Sequence, residues 1–405
     1  MSQLLFTLPP LSPDYSGVAS VFHDLGLLTV IHDASGCTGT YTGYDEPRWF
    51  GSSSPVFCSG LREMDAIMGD DEKLLKKIQS ALLDTGAPGV VIIGSPVPMV
   101  VGFDFKGFAS LVENRTGLPA FGFPTTGIAY YDEGQRNAYL AAARRLLAET
   151  SPKDPLRVNI LGASALDGFD DPALDLLEDL LTGAGFHRGA VWGARSPLEE
   201  IKESGGAGLN WVISAAALPL ARYFKEHFGI PFITGLPIGK KEEDRILSGL
   251  LALHRGAGAE IFPPASEENS KEGCRILITG EALFCSSLRA WLEKEEGETG
   301  IRIATFFGEG KPLLHPGDCF FETEDEAVRS FAELKPQTFI GDILFSGLLS
   351  GEIQPHFIPV PHRAVSGRFH AEGRSGFFKR QPFQITCIPS PPHVKVNHAL
   401  SVPGS

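Results

Sequence analysis

Short apolar runs that end on glycine or small residues and hand over to helical stretches recur along this chain. That alternation constrains the fold more than any other feature. The runs include Leu27-Leu-Thr-Val-Ile31, Val90-Val-Ile-Ile-Gly94, Arg157-Val-Asn-Ile-Leu-Gly162, Trp211-Val-Ile-Ser214, Pro231-Phe-Ile-Thr234 and Arg275-Ile-Leu-Ile-Thr-Gly280. Between them lie amphipathic stretches such as the Ala-rich Gln135–Leu147 and the Leu-rich Leu174–Leu181. Strands that alternate with helices in this way predict α/β architecture with parallel sheets.

A chain of 405 residues is too long for one core and predicts several domains. Ser151-Pro-Lys-Asp-Pro155 breaks the Ala-rich helix, so a first α/β domain is expected over 1–150. The polar stretch Ala265–Gly273 separates a second domain, 151–270, from a third, 271–380. The strand-glycine-helix opening at 157 repeats at 275. Residues 381–405 have no helical period and read as an extended arm that covers the body or reaches a partner.

With 43% hydrophobic and 21% charged residues the chain has the composition of an ordinary globular protein. A net charge of −14 speaks against a nucleic-acid surface and gives no reason to expect membrane binding. The first residues lack the basic and apolar regions of a secretion signal, and no apolar run approaches membrane-spanning length. The six cysteines stand singly, without the C-x-x-C pairs of a zinc site or a disulfide framework. Cytoplasm is the expected compartment.

The first apolar run delivers His32-Asp-Ala-Ser-Gly-Cys37. Gly36 and Gly39 let backbone approach whatever the sulfur holds. Such a thiol is compatible with a redox role, a cluster ligand or a quiet core position. After it come Cys58-Ser-Gly-Leu-Arg-Glu-Met-Asp-Ala-Ile-Met-Gly69 and Val90-Val-Ile-Ile-Gly-Ser-Pro-Val-Pro-Met-Val-Val-Gly-Phe-Asp104. The H-x-x-x-G-C turn, the E-x-D-x-x-x-G helix and the strand-x-P-x-x-x-G-x-D turn, in this order, resemble nitrogenase component 1. That family comprises the nitrogenase catalytic subunits, cofactor-assembly scaffolds and dark-operative tetrapyrrole reductases.

The resemblance implies three Rossmann-like domains with parallel sheets around a central cleft. It also implies an iron–sulfur cluster, [4Fe-4S] in kind, held between two subunits by loops near the start of each chain. Of the three ligand loops implied, Pro10–Gly17 contains no cysteine, the second supplies Cys37, and Ser95 stands at the cysteine's place in the third. Cys58 is a candidate co-ligand, and two copies paired about a two-fold axis would bring four thiols together. Core packing of both thiols is the alternative. Ser214 stands where the resemblance implies the thiolate of the nitrogenase cofactor, and His362 falls near the cofactor histidine's place. A serine does not replace a thiolate on soft iron, so dinitrogen reduction at the usual cofactor is not expected.

Tyr131, Asp132 and Glu133 match the segment that lines the pocket wall, where they could hydrogen-bond or protonate a substrate. Asp132 as a cap on the Ala-rich helix is the structural alternative. His362 as a loop histidine bonded to backbone is the corresponding alternative for that residue. Arg363, Arg368, His370 and Arg374 form a basic loop suited to a carboxylate or phosphate, or simply to solvent. No dinucleotide fingerprint or phosphate loop is present, so any ATPase is a separate partner. Cys274, Cys285, Cys319 and Cys387 share no spacing and read as core thiols.

The leading function is thus a nitrogenase-like reductase component outside nitrogen fixation. It would accept electrons from an ATP-dependent iron–sulfur reductase and act on a tetrapyrrole or other conjugated ring in the cleft. A metallocofactor scaffold or carrier and a cluster-free ligand-binding homologue are the alternatives. The expected assembly is a homodimer or a heterodimer with a sister component 1 subunit.

Overall fold

The computed structural model describes residues 7–49, 51, 54–148, 151–262, 273–349 and 354–367. Arg368, His370, Arg374, Cys387 and the arm expected at 381–405 lie outside the described residues. Three sheets form, and every strand pairing within them is parallel. The first contains β1 (Leu28–Ile31), β2 (Val56–Cys58), β3 (Val90–Ile93) and β4 (Ala120–Phe123), in the order β2-β1-β3-β4. The second contains β5 (Asp154–Leu161), β6 (His187–Trp192), β7 (Ala207–Val212), β8 (Phe232–Thr234) and β9 (Glu260–Ile261), in the order β6-β5-β7-β8-β9. The third contains β10 (Ile276–Thr279), β11 (Ile301–Thr305), β12 (Cys319–Phe320), β13 (Thr338–Gly341) and β14 (His356–Pro359), in the order β12-β11-β10-β13-β14. Central strands such as β1, β3 and β10 are buried along their whole length, which is why the sequence writes them as unbroken apolar runs.

Helix α1 (Asp14–Phe22) precedes the first sheet, and α2 (Gly36–Thr40) follows β1. Helices α3 (Glu63–Met68) and α4 (Asp71–Thr85) cross from β2 to β3, α5 (Pro96–Val100) and α6 (Phe105–Thr116) from β3 to β4, and α7 (Tyr131–Leu146) leaves the sheet. The second sheet is connected by α8 (Asp171–Gly183), α9 (Leu198–Glu203), α10 (Leu218–Phe228) and α11 (Lys240–His254), the third by α12 (Ala282–Lys294) and α13 (Glu324–Leu334).

Two local differences from the sequence reading have physical causes. Helix α7 starts at Tyr131, ahead of the Ala-rich stretch, because its first turn buries Tyr131 and Asp132 against neighbouring elements. Strand β5 starts at Asp154, with the break of Pro155 absorbed by a register shift between Asp154 and Val158.

The modules share cores rather than standing apart. One cluster joins Phe22, Phe121 and Tyr139 of the first to Trp192 and Phe224 of the second, and another joins Trp211 and Ile233 to Trp291 and Ile303 of the third. Helices α1 and α7 touch at Gly17 and Gly134: a Cβ on either would run into the carbonyl of Tyr131 or of Asp14. Glu242, fully buried, binds Lys294 at 2.6 Å and Arg245 at 2.7 Å and so ties α11 to α12.

In open parallel sheets ligands collect at the carboxyl ends of the strands, where the strand order reverses direction. Here those points lie between β1 and β3, between β5 and β7, and between β10 and β13.

Candidate functional site

Cys37 occupies the first of these points. Residue Ser35, two positions earlier, has φ 143°, a backbone region that a residue with a side chain rarely adopts. The turn is held in that shape by Asp33, whose Oδ2 accepts from the backbone nitrogens of Ser35 (2.9 Å) and Thr38 (3.2 Å). The result presents a half-buried Cys37 in the first turn of α2. Tyr15, from α1, and Ser95, at the start of α5, border its sulfur, and the Ser95 hydroxyl donates to the His32 carbonyl at 2.9 Å. Burial and the Asp33 carboxylate push the Cys37 thiol up, so the site as folded favours the protonated form. Asp14 secures the opposite wall by accepting from the nitrogens of Thr126 and Gly127, both at 2.8 Å.

The three loops that the resemblance implies as cluster ligands therefore do converge, and they bring one thiol and two hydroxyls. Cys58 ends β2 beside Ile31, with its sulfur 3.4 Å from the carbonyl oxygen of Asp33 and 3.3 Å from the nitrogen of Gly60. Both cysteines thus border the same Asp33 turn. Among the described residues, no three His, Cys, Asp or Glu side chains converge as metal ligands within one chain. One chain thus brings two thiols to this turn.

The second and third points meet where the open cleft was expected, and side chains fill the space between them. Ser214, just beyond β7, presses on Gly162 after β5, where a Cβ would lie 2.8 Å from its own. The Ser214 hydroxyl is buried and has no partner among the described residues. Glu281, after β10, accepts from the nitrogens of Ala215 (3.0 Å) and Phe284 (2.8 Å), so it caps α12 and links the two points.

Tyr131 and His362 meet here. The Tyr131 hydroxyl donates to Asp167 at 2.8 Å, and its ring lies 5.8 Å from that of His362. The His362 ring stacks on Phe307 at 4.8 Å, and its backbone nitrogen donates to Asp342 at 2.6 Å. Tyr131, Phe307, Leu166, Leu11 and Val365 form a buried cluster, so the centre is closed by aromatic and aliphatic side chains. Tyr131 and His362 are buried within it.

Asp132 and Arg363 point elsewhere. Asp132 is not the cap of α7, a place taken by Tyr130; its Oδ2 accepts from the nitrogen of Glu309 at 3.0 Å across to the third module. Burial, reinforced by the charges of Glu309 and Asp167, pushes its carboxyl up to about 7. It borders a cavity of about 480 Å³ with Glu133, Glu309, Phe306 and Lys311. Arg363 is half-exposed and faces a small crevice shared with Tyr44 and Asp45.

Sequence reasoning missed Tyr15, Asp33, Asp167, Glu281 and Phe307. Tyr15 was within sight: it lies in the first ligand loop, noted for the thiol it lacks rather than for the hydroxyl it brings.

Three parallel α/β modules, each with a strand-order reversal at its carboxyl end, define the architecture of the chain. A family profile described as nitrogenase component 1 type oxidoreductase matches residues 14–282. The chain belongs to that family. It is 27% identical over 281 residues to the nitrogenase iron-molybdenum cofactor biosynthesis protein NifE of Mesorhizobium japonicum, an alignment covering 66% of this chain and 54% of that protein. The NifE of Nostoc sp. is 26% identical over 232 residues, covering 55% of this chain and 47% of that protein. The chain spans about half the length of the curated relatives it matches. A solved structure of nitrogenase Cp1 superposes with TM-score 0.58 at 13% identity, covering 90% of this chain and 86% of that one. That likeness bears on the fold. No helix among the described residues is long and apolar enough to cross a membrane.

Proposed function

We propose that this protein is an electron-accepting component 1 protein outside nitrogen fixation, and that an iron–sulfur cluster lies between two chains on Cys37, with Cys58 as second ligand. The observation that carries the reading is Cys37 itself: a half-buried thiol on a strained turn at the carboxyl end of a parallel sheet, with Cys58 beside the same turn. Thiolates suit iron, and a bound cluster would supply one-electron chemistry there. Cys37 and Cys58 would hold it, Tyr15 and Ser95 would hydrogen-bond near the sulfur, and Asp33 would keep the turn in shape. The second chain is a copy of this one or a sister subunit. The electron donor is an ATP-dependent iron–sulfur reductase, and the compartment is the cytoplasm.

Exposed apolar side chains on the same end of the first module support a docking role. Met64, Ile67, Met68, Val100 and Ile128 are each more than half exposed, an arrangement that marks interaction surfaces. Asp132, beside the cavity shared with Glu309 and Lys311, and the basic Arg363 and Arg368 remain our candidates for contacts to a bound ring or metallocofactor, with the buried Tyr131 and His362 as supports of that wall.

A scaffold or carrier of a metallocofactor is the second reading, favoured by the NifE relatives. Ser214 at the expected thiolate position speaks against the nitrogenase cofactor as its cargo. The test is iron and acid-labile sulfide content after oxygen-free purification. Both should collapse in Cys37→Ser and persist in Cys285→Ala, whose thiol is sealed in α12. Equal loading of the two variants would overturn the assignment, and stoichiometric molybdenum on the chain would favour the scaffold.

A further inference from the structure

The strand-turn that carries Cys37 also carries His32, and that histidine belongs to a different feature. It is 6% exposed and lines a cavity of about 250 Å³ on the α4 and α6 side of the first sheet. Its Nδ1 lies 2.9 Å from the Ser59 hydroxyl. Its Nε2 has no partner among the described residues and is not sealed from solvent. The Ser59 hydroxyl donates to the Asp33 carbonyl at 3.1 Å and so receives the His32 proton from Nδ1, the tautomer that leaves Nε2 an acceptor.

The charges around it identify what fits. Asp65 is spent on Lys73 at 2.6 Å, and Lys77 is anchored to the Ser59 carbonyl. Asp70, Asp71 and Asp104 remain, three carboxylates against the one charge of Lys77. Asp71 has no hydrogen-bond or ion-pair partner among the described residues, and burial together with Asp70 and Asp104 pushes its carboxyl up. Helices α4 and α6 both start here, and Asp70 accepts from the nitrogen of Lys73 and Asp104 from that of Gly107, so a carboxylate already sits at each helix start. An anion therefore meets a carboxylate at each helix start and finds its surroundings negative. A directly held metal ion is disfavoured as well, because among the described residues no three acidic, His or Cys side chains converge as metal ligands. Burial pushes the His32 imidazole down to about 4, which leaves it a neutral acceptor at neutral pH. Phe103, 4.5 Å from the His32 ring, supplies an apolar wall.

We propose that this cavity is a binding site for a small organic cation, an ammonium or guanidinium compound, whose N–H groups donate to His32 Nε2 and to the Asp71 and Asp104 carboxylates. The site lies at the β1/β3 switch point but is separate from the thiols, and it does not depend on whether a cluster is bound. Charge-assisted hydrogen bonds of this kind favour a cation over a neutral isostere of the same size.

Isothermal titration calorimetry of the full chain with 1,4-diaminobutane, at an ionic strength fixed with sodium chloride, tests it. Saturable binding to one site is expected. Asp71→Asn, at an exposed position, should weaken it about tenfold, and so should His32→Phe, which keeps the ring against Phe103 and deletes Nε2. Should His32→Phe fail to fold, Asp71→Asn decides alone. Equal affinity in the wild-type protein and the variants would overturn the proposal. So would a heat signal that the salt abolishes, or tighter binding of pyrophosphate or Mg²⁺ to the same residues.

Discussion

Asp132→Asn removes a buried charge from the junction of the first and third modules and keeps an oxygen to accept from the Glu309 nitrogen. Burial raises the Asp132 carboxyl from 3.8 to about 7. Its folded value thus lies above its unfolded one, and between the two the native state holds more protons than the unfolded chain. Stability contributed by this group is therefore present at low pH and lost as pH rises from about 4 to about 7. At about 1.4 kcal/mol per pH unit the full interval amounts to about 4 kcal/mol by pH 8. Urea unfolding of both proteins at pH 5 and pH 8 reads it. The wild-type protein should lose about 3 kcal/mol relative to Asp132→Asn across that range, because every other titrating group is common to both. Parallel pH profiles would refute the reasoning and would place the Asp132 carboxylate in contact with water.

Gly17→Ala should cost about 1–3 kcal/mol by forcing α1 away from the Tyr131 carbonyl. Gly43→Ala, which opens into free space, should stay within about 0.5 kcal/mol; thermal melts compare them. Arg48→Met should cost about 3–5 kcal/mol in urea titration. Burial pushes the fully buried Glu46 carboxyl up and Arg48 overrides it, so the variant leaves that buried charge to the longer contacts of His23 and the Tyr41 hydroxyl. Phe307→Ala should open the cleft beside His362 and Tyr131. It should cost about 3–5 kcal/mol, read by urea unfolding, and a variant as stable as the wild-type protein would mean that the ring packs loosely.

The strands were legible because parallel sheets bury both faces, so β1, β3 and β10 appear as unbroken apolar runs. The small residues after β1 and β3 marked the turns that hold Cys37 and Ser95 for the same local reason. What the sequence hides is set by contacts distant along the chain. Asp132 reads as a helix cap until Glu309, 177 residues away, supplies its donor. His362 reads as a loop histidine until Phe307 is found stacked on it. Ser35 carries no mark of its backbone strain, since that conformation is imposed by the Asp33 side chain and the turn into α2. The cavity beneath His32 was equally hidden, because its walls come from the segments after β1 and β2, from α3 and α4, and from the segment after α5.

The central claim is that two chains share one cluster through Cys37, and native mass spectrometry of oxygen-free protein tests it most directly. The expected spectrum holds two chains together with inorganic iron and sulfide, and Cys37→Ser shifts it to chains free of both. A wild-type dimer without iron, or iron retained on a single chain in the absence of Cys37, would contradict the account.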